Sequence, residues 1–184
     1  MKFKISVLIV VCFCLLFACD EQAIPKPKAQ IRLEYPPGNL LPLETDNFKF
    51  QYNQLANAKL NAENAFSLEY PEMKGAIFLS YKKVEGNLEK LIVDAKRLSY
   101  EHAMKADNIV EQPYVNPNKE VYGALFEVQG NAASQSQFFV TDSTEHFLTG
   151  SVYFYTKPNY DSILPAAAYL QNDIRRIIES LEWK

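Results

Sequence analysis

The stretch VYGALFEVQGNAASQSQFFVTDSTEHFLTGSVYFY, Val121 to Tyr155, decides the fold. It holds three runs rich in Val, Phe, Tyr and Leu: Val121–Gln129, Ser136–Thr141 and Phe147–Tyr155. Gly130-Asn131 and Asp142-Ser143 stand between them, residue types that tight turns use. Short β-type runs joined this way predict an antiparallel meander. Aromatic residues occupy both alternating faces, as in Phe138-Phe139 and Val152-Tyr153-Phe154-Tyr155. One face therefore fills a core, and the other meets a helix or a partner protein.

Downstream of the meander, Ile163, Ala167, Leu170, Ile174, Ile177 and Leu181 recur at helical spacing. They predict a helix from Asp161 to Leu181, capped by Asn159 or Asp161, with Pro165 tolerated in its first turn. Upstream, Leu88, Leu91, Ile92, Ala95, Leu98 and His102 form a second stripe, predicting a helix that starts after the cap Asn87 and runs to Ala106. The segment Gln112–Asn118, with Pro113 and Pro117, reads as a loop. Before the first helix, strands are expected at Ile31–Tyr35, Phe48–Tyr52, Ala56–Leu60, Ala65–Tyr70 and Ala76–Lys82. Leu-Glu-Tyr-Pro occurs twice, at Leu33–Pro36 and Leu68–Pro71, each time where proline would end a strand. Strands, helix, strands and helix define an α+β class: an antiparallel sheet flanked by two helices.

The N-terminus carries the clearest chemical signal. Lys2 and Lys4 precede an uncharged run from Ile5 to Ala18, and Leu16-Phe17-Ala18-Cys19 closes it. A run of about fourteen residues is too short for a membrane span of about twenty. Residues 1–18 are expected to be a cleaved lipoprotein signal peptide, with Cys19 carrying the diacylglycerol and a further acyl chain such as palmitate. Residues 19–30 read as anchor and tether, since Pro25 and Pro27 favour an extended chain. Residues 31–184 read as a single α+β domain.

Composition narrows the partners. The formal net charge is −3 with Lys2 and Lys4 present, and it becomes more negative without them, which disfavours nucleic acid. Cys12 and Cys14 lie in the expected signal, so Cys19 would be the sole remaining cysteine and no internal disulfide forms. His102 sits on an apolar helix stripe, the place of a packed structural histidine. His146 ends Thr141-Asp142-Ser143-Thr144-Glu145-His146, which holds the residue types of a triad but also those of a hairpin turn, the preferred reading. A hydrolase built on His146 would lose activity but not stability on His146→Ala. No HExxH, EF-hand, P-loop or GxGxxG pattern occurs. Catalytic, metal and cofactor residues are accordingly assigned to none, no small-molecule substrate is expected, and the protein is read as a non-enzyme.

A set of strings carries a family resemblance: Ile24-Pro25-Lys26-Pro27-Lys28, Leu79-Ser80-Tyr81-Lys82, Tyr100-Glu101-His102 and Val121-Tyr122-Gly123-Ala124-Leu125-Phe126. With Gly130–Gln135, Phe138–Ser143 and Leu148–Phe154 in the same order, the chain resembles the gliding-motility lipoproteins of the GldD family of Bacteroidota. The resemblance implies an envelope lipoprotein required for gliding and the associated type IX secretion machinery, acting with other lipoproteins and envelope proteins. It brings no catalytic residues. The anchor carries over onto Cys19, with the outer membrane, on its periplasmic face rather than the cell surface, as the expected location. The strand and helix order is also similar to the Mog1/PsbP-like fold, an α/β/α sandwich with an antiparallel sheet. The alternative is a lipid-anchored module binding a small ligand or cell-wall fragment between sheet and helices.

Overall fold

The computed structural model describes residues 35–101, 105–156 and 159–184. Among these residues ten strands form two antiparallel sheets. β1 (Leu40–Glu44), β2 (Phe48–Asn53) and β10 (Glu182–Trp183) make a small sheet in the order β1-β2-β10. β3 (Asn57–Ala62), β4 (Ala65–Tyr70), β5 (Gly75–Lys83), β6 (Ala106–Asn116), β7 (Val121–Gly130), β8 (Ser134–Thr141) and β9 (His146–Phe154) make the large one. Its order is β3-β4-β5-β9-β8-β7-β6, with the expected meander β7-β8-β9 inside it. Among the described residues the two α-helices are α1 (Leu88–Tyr100) and α2 (Tyr160–Ser180).

Alternation along each strand splits the core in two. On one face of the large sheet, Ile77, Leu125, Val140 and Val152 pack with Phe48 and Phe50 of β2 and with Leu170 and Ile174 of α2. On the other face, Ala124, Phe126, Phe139 and Phe147 pack under Leu91 and Ile92 of α1. Every residue of β8 is buried, because both faces of that strand are covered. The expected stripe is buried at Ile163, Ala167, Leu170, Ile174, Ile177 and Leu181, although α2 ends at Ser180 and Leu181 caps it.

Several expectations need correction. The first helix ends at Tyr100, not Ala106, and His102 lies outside the described residues. Leu98, placed on its buried stripe, is 54% exposed; Ser99 takes the inward position and bonds Gln137 at 3.0 Å. Asn87 stands at the N-cap position, but its side chain accepts from the Glu85 N–H instead of a helix N–H. The segment read as a Pro-containing loop belongs largely to β6, whose Pro113 is accommodated because β6 is an edge strand. β1, where the sequence pattern predicts no strand, is also an edge and accommodates Pro42 in the same way. Pro165 is the sixth residue of α2 rather than part of its first turn. The strand expected at Ile31–Tyr35 falls outside the described residues except for Tyr35, which is not in a strand. The second Leu-Glu-Tyr-Pro does end β4, and Pro71 opens a single 3₁₀ turn.

Candidate functional site

The densest buried polar cluster ties α2 to both sheets. Asp173 lies on the inward side of α2, three residues after Leu170 and four before Ile177, and is 2% exposed. Its Oδ2 accepts from Asn53 Nδ2 and Tyr70 Oη at 3.0 Å each, and its Oδ1 accepts from Arg176 Nη1 at 2.9 Å. The Asn53 amide also donates to Tyr169 Oη at 2.7 Å, and that hydroxyl donates to the Pro36 carbonyl at 2.8 Å. Burial pushes the Asp173 carboxyl above the ordinary carboxylate range, although its three donors pull the other way. Burial and the Asp173 charge push the Tyr70 hydroxyl up, so it remains a donor. Both carboxylate oxygens are engaged by partners from three elements, which is the arrangement of a structural clasp. On the flank of the same helix, Arg175 Nη2 pairs with Glu127 and donates to Gln112 Oε1 at 2.7 Å, joining α2 to β7 and β6.

Thr141–His146 forms a turn and brings no triad together. Ser143 has φ +73°, and Asp142 Oδ1 accepts the N–H groups of Thr144, Glu145 and His146 at 3.0, 2.9 and 2.8 Å. Burial would raise the Asp142 carboxyl, but these bonds and the Thr144 hydroxyl hold it below the usual carboxylate range. His146 is turned away, with Nδ1 2.9 Å from Tyr81 Oη. Its ring stacks on Trp183 of β10, with centroids 5.2 Å apart and planes 6° from parallel. The Trp183 Nε1–H donates to the Glu120 carbonyl at 3.1 Å, so the indole seals the small sheet against the entry to β7. His146→Ala should lower stability by about 1 kcal/mol through loss of this stack. Emission of Trp183, the sole tryptophan, should shift to the red as the indole gains water; an unchanged spectrum and melting temperature would refute the seal.

A groove of about 550 Å³ runs between β1, β2 and the C-terminal half of α2. Its charges are largely paired within the protein: Lys49 with Glu182 at 2.7 Å, Lys184 with Glu44 at 2.9 Å, and Arg176 with Asp173. Among the described residues no cluster of three or more His, Cys, Asp or Glu could hold a metal ion, and no helix is long and apolar enough to cross a membrane. Cys19 and His102 lie outside the described residues. Sequence reading missed the Asp173 cluster, though an aspartate on the Leu170–Ile177 side of an apolar stripe was its visible trace.

Among the described residues these features define an α+β domain with two helices and extensive antiparallel sheet, in which the buried Asp173 carboxylate is held by internal partners. A family model described as gliding motility lipoprotein GldD matches residues 20–183. The chain belongs to that family, as a lipid-anchored envelope protein with a role in gliding motility. A search of curated proteins returns no match.

Proposed function

We propose that this protein is a non-catalytic assembly component of the gliding apparatus and of its associated type IX secretion machinery. In this reading residues 1–18 are removed, Cys19 carries the acyl chains, and residues 19–30 tether a single domain to the outer membrane on its periplasmic face. The carrying observation is the family match, which begins at residue 20, directly after Cys19, and continues to residue 183. The internal donors on Asp142 and the burial of Asp173 support a scaffold, because a general acid or base must face a substrate. Its partners are other lipoproteins and envelope proteins of the same machinery.

Deleting the gene in its host should abolish colony spreading and reduce secreted enzymes; normal spreading with normal secretion would refute the role. Cys19→Ser should move the protein from the membrane pellet to the soluble fraction, because stable anchoring needs two acyl chains or more. Retention in the pellet after a high-salt wash would show that anchoring does not depend on this sulfur.

A further inference from the structure

The chain enters the domain along a strap that rests on the Asp173 cluster. Residues 35–39 form neither strand nor helix and bridge α2 and the end of β2 before β1 begins at Leu40. Pro36, Pro37 and Asn39 are exposed, while Tyr35 and Gly38 are partly covered. Four ties hold the strap down. The Tyr35 ring meets the Tyr169 ring edge-on, with centroids 5.5 Å apart. The Tyr169 hydroxyl donates to the Pro36 carbonyl at 2.8 Å. Gly38 lies so close to the Asn53 carboxamide that a Cβ there would fall 1.7 Å from Oδ1. The Asn39 carbonyl accepts from the Gln54 N–H at 2.9 Å.

Each tie lands on a residue that serves the clasp or adjoins one that does. The single Tyr169 hydroxyl proton goes to Pro36, and the oxygen accepts from Asn53 Nδ2 at 2.7 Å. The same amide nitrogen donates to Asp173, and Asn53 Oδ1 accepts from the Leu55 N–H at 3.0 Å. Asn53 is thus fully committed, and it is 1% exposed. A continuous line runs from the Pro36 carbonyl through Tyr169, Asn53 and Asp173 to Tyr70, with links of 2.8, 2.7, 3.0 and 3.0 Å. Bonds in such a line polarise one another, so loss of one end weakens the rest. Pro36 and Pro37 fix two consecutive φ angles, which makes the strap stiff enough to lift as a unit. Lifting it deprives Tyr169 of its acceptor and Asn53 of the backbone packed on its carboxamide.

We propose that Tyr35–Asn39 is a latch coupling the chain that enters the domain to the Asp173 clasp. Drawing the strap off its seat loosens α2 from β2 and β4, and loosening the clasp frees the strap. The coupling belongs to the domain alone. Only the source of a pull, the tether proposed for residues 19–30, rests on the assembly reading, so a failed latch leaves that reading standing.

The test is amide exchange on ¹⁵N-labelled full-length protein in detergent micelles. The Gln54 N–H reports the seat of the strap, the Leu55 N–H reports the Asn53 carboxamide, and the amides of β8, buried on both faces, report global unfolding. Asp173 has no bond to the strap, yet Asp173→Asn should speed Gln54 exchange about 3- to 10-fold beyond any change in β8, the equivalent of one hydrogen bond. Coupling is reciprocal, so Tyr35→Ala should speed Leu55 exchange by a similar factor. Tyr169→Phe keeps the ring and cuts the line; in that background either substitution should add less than about twofold. If Asp173→Asn does not fold, Tyr35→Ala decides alone: a Leu55 response that disappears in Tyr169→Phe supports the latch. Unchanged Gln54 exchange in folded Asp173→Asn, the same rise at Gln54 as in β8, or responses undiminished by Tyr169→Phe would overturn it.

Discussion

Replacing Asp173 with alanine is expected to destabilise the protein by about 3–5 kcal/mol, measured by urea unfolding. The substitution leaves the Tyr70 hydroxyl, the Asn53 amide and the Arg176 guanidinium without the acceptor they share. A loss of that size is a large part of the 5–15 kcal/mol that holds a typical domain together. Asp173→Asn should cost less, about 1–3 kcal/mol, because one oxygen remains to accept from Tyr70 or Asn53. The two variants also differ from wild type in pH dependence. The Asp173 carboxyl is raised in the folded state, so the native protein holds that proton more tightly than the unfolded chain does. Its contribution favours the fold below the ordinary carboxylate value and is lost as pH rises through the folded-state value. In Asp173→Asn this component of the pH profile should vanish. If both variants unfold at the wild-type urea midpoint, Asp173 is not the clasp between α2 and the sheets.

Gly123→Ala should be nearly as damaging, at about 3 kcal/mol, and the visible readout is loss of protection in β7 and β8 by amide exchange. A Cβ on Gly123 would sit 1.9 Å from the Phe139 carbonyl oxygen and 2.9 Å from the Val140 Cα. Both are backbone atoms of a strand buried on both faces, so the clash cannot be relieved by turning a side chain. Gly86→Ala is the matching control. Its Cβ would meet nothing within 4 Å, and its φ of +71° predicts only the modest cost of a left-handed residue. Equal stability of Gly123→Ala and wild type would mean that the two strands do not approach this closely.

The meander and the last helix were legible because their signals are local. The runs at 121–155 alternate around turn residues, and five apolar positions repeat along α2 with Leu181 just beyond its end. What escaped was decided by neighbours distant in sequence. Pro42 and Pro113 looked like breakers, and only an edge position, which a single sequence does not reveal, makes them compatible with strands. β10 is two residues long and exists because Glu182 and Trp183 meet Lys49 and Phe48 across more than a hundred residues. The single sheet expected from the pattern is therefore two, with β2 and α2 sharing one core on a face of the large sheet. For the candidate site, Thr141–His146 was correctly readable as a turn, since aspartate at its head and the residues after it satisfy one another locally. The stacking partner of His146 was not readable, because Trp183 reaches it from the far end of the chain.

The edge prolines also bear on how many copies can share one bilayer. Membrane attachment confines molecules to a thin layer, where neighbours collide far more often than in bulk, and an open strand edge is a template for joining two sheets. Here Pro42 interrupts β1, Pro113 interrupts β6, and the remaining long edge, β3, is six residues with a register shift between Leu60 and Ala62 and a lysine at 59. Each edge denies an incoming strand a continuous ladder, so a dense layer of these domains can stay dispersed, each copy free to find a different protein as its neighbour.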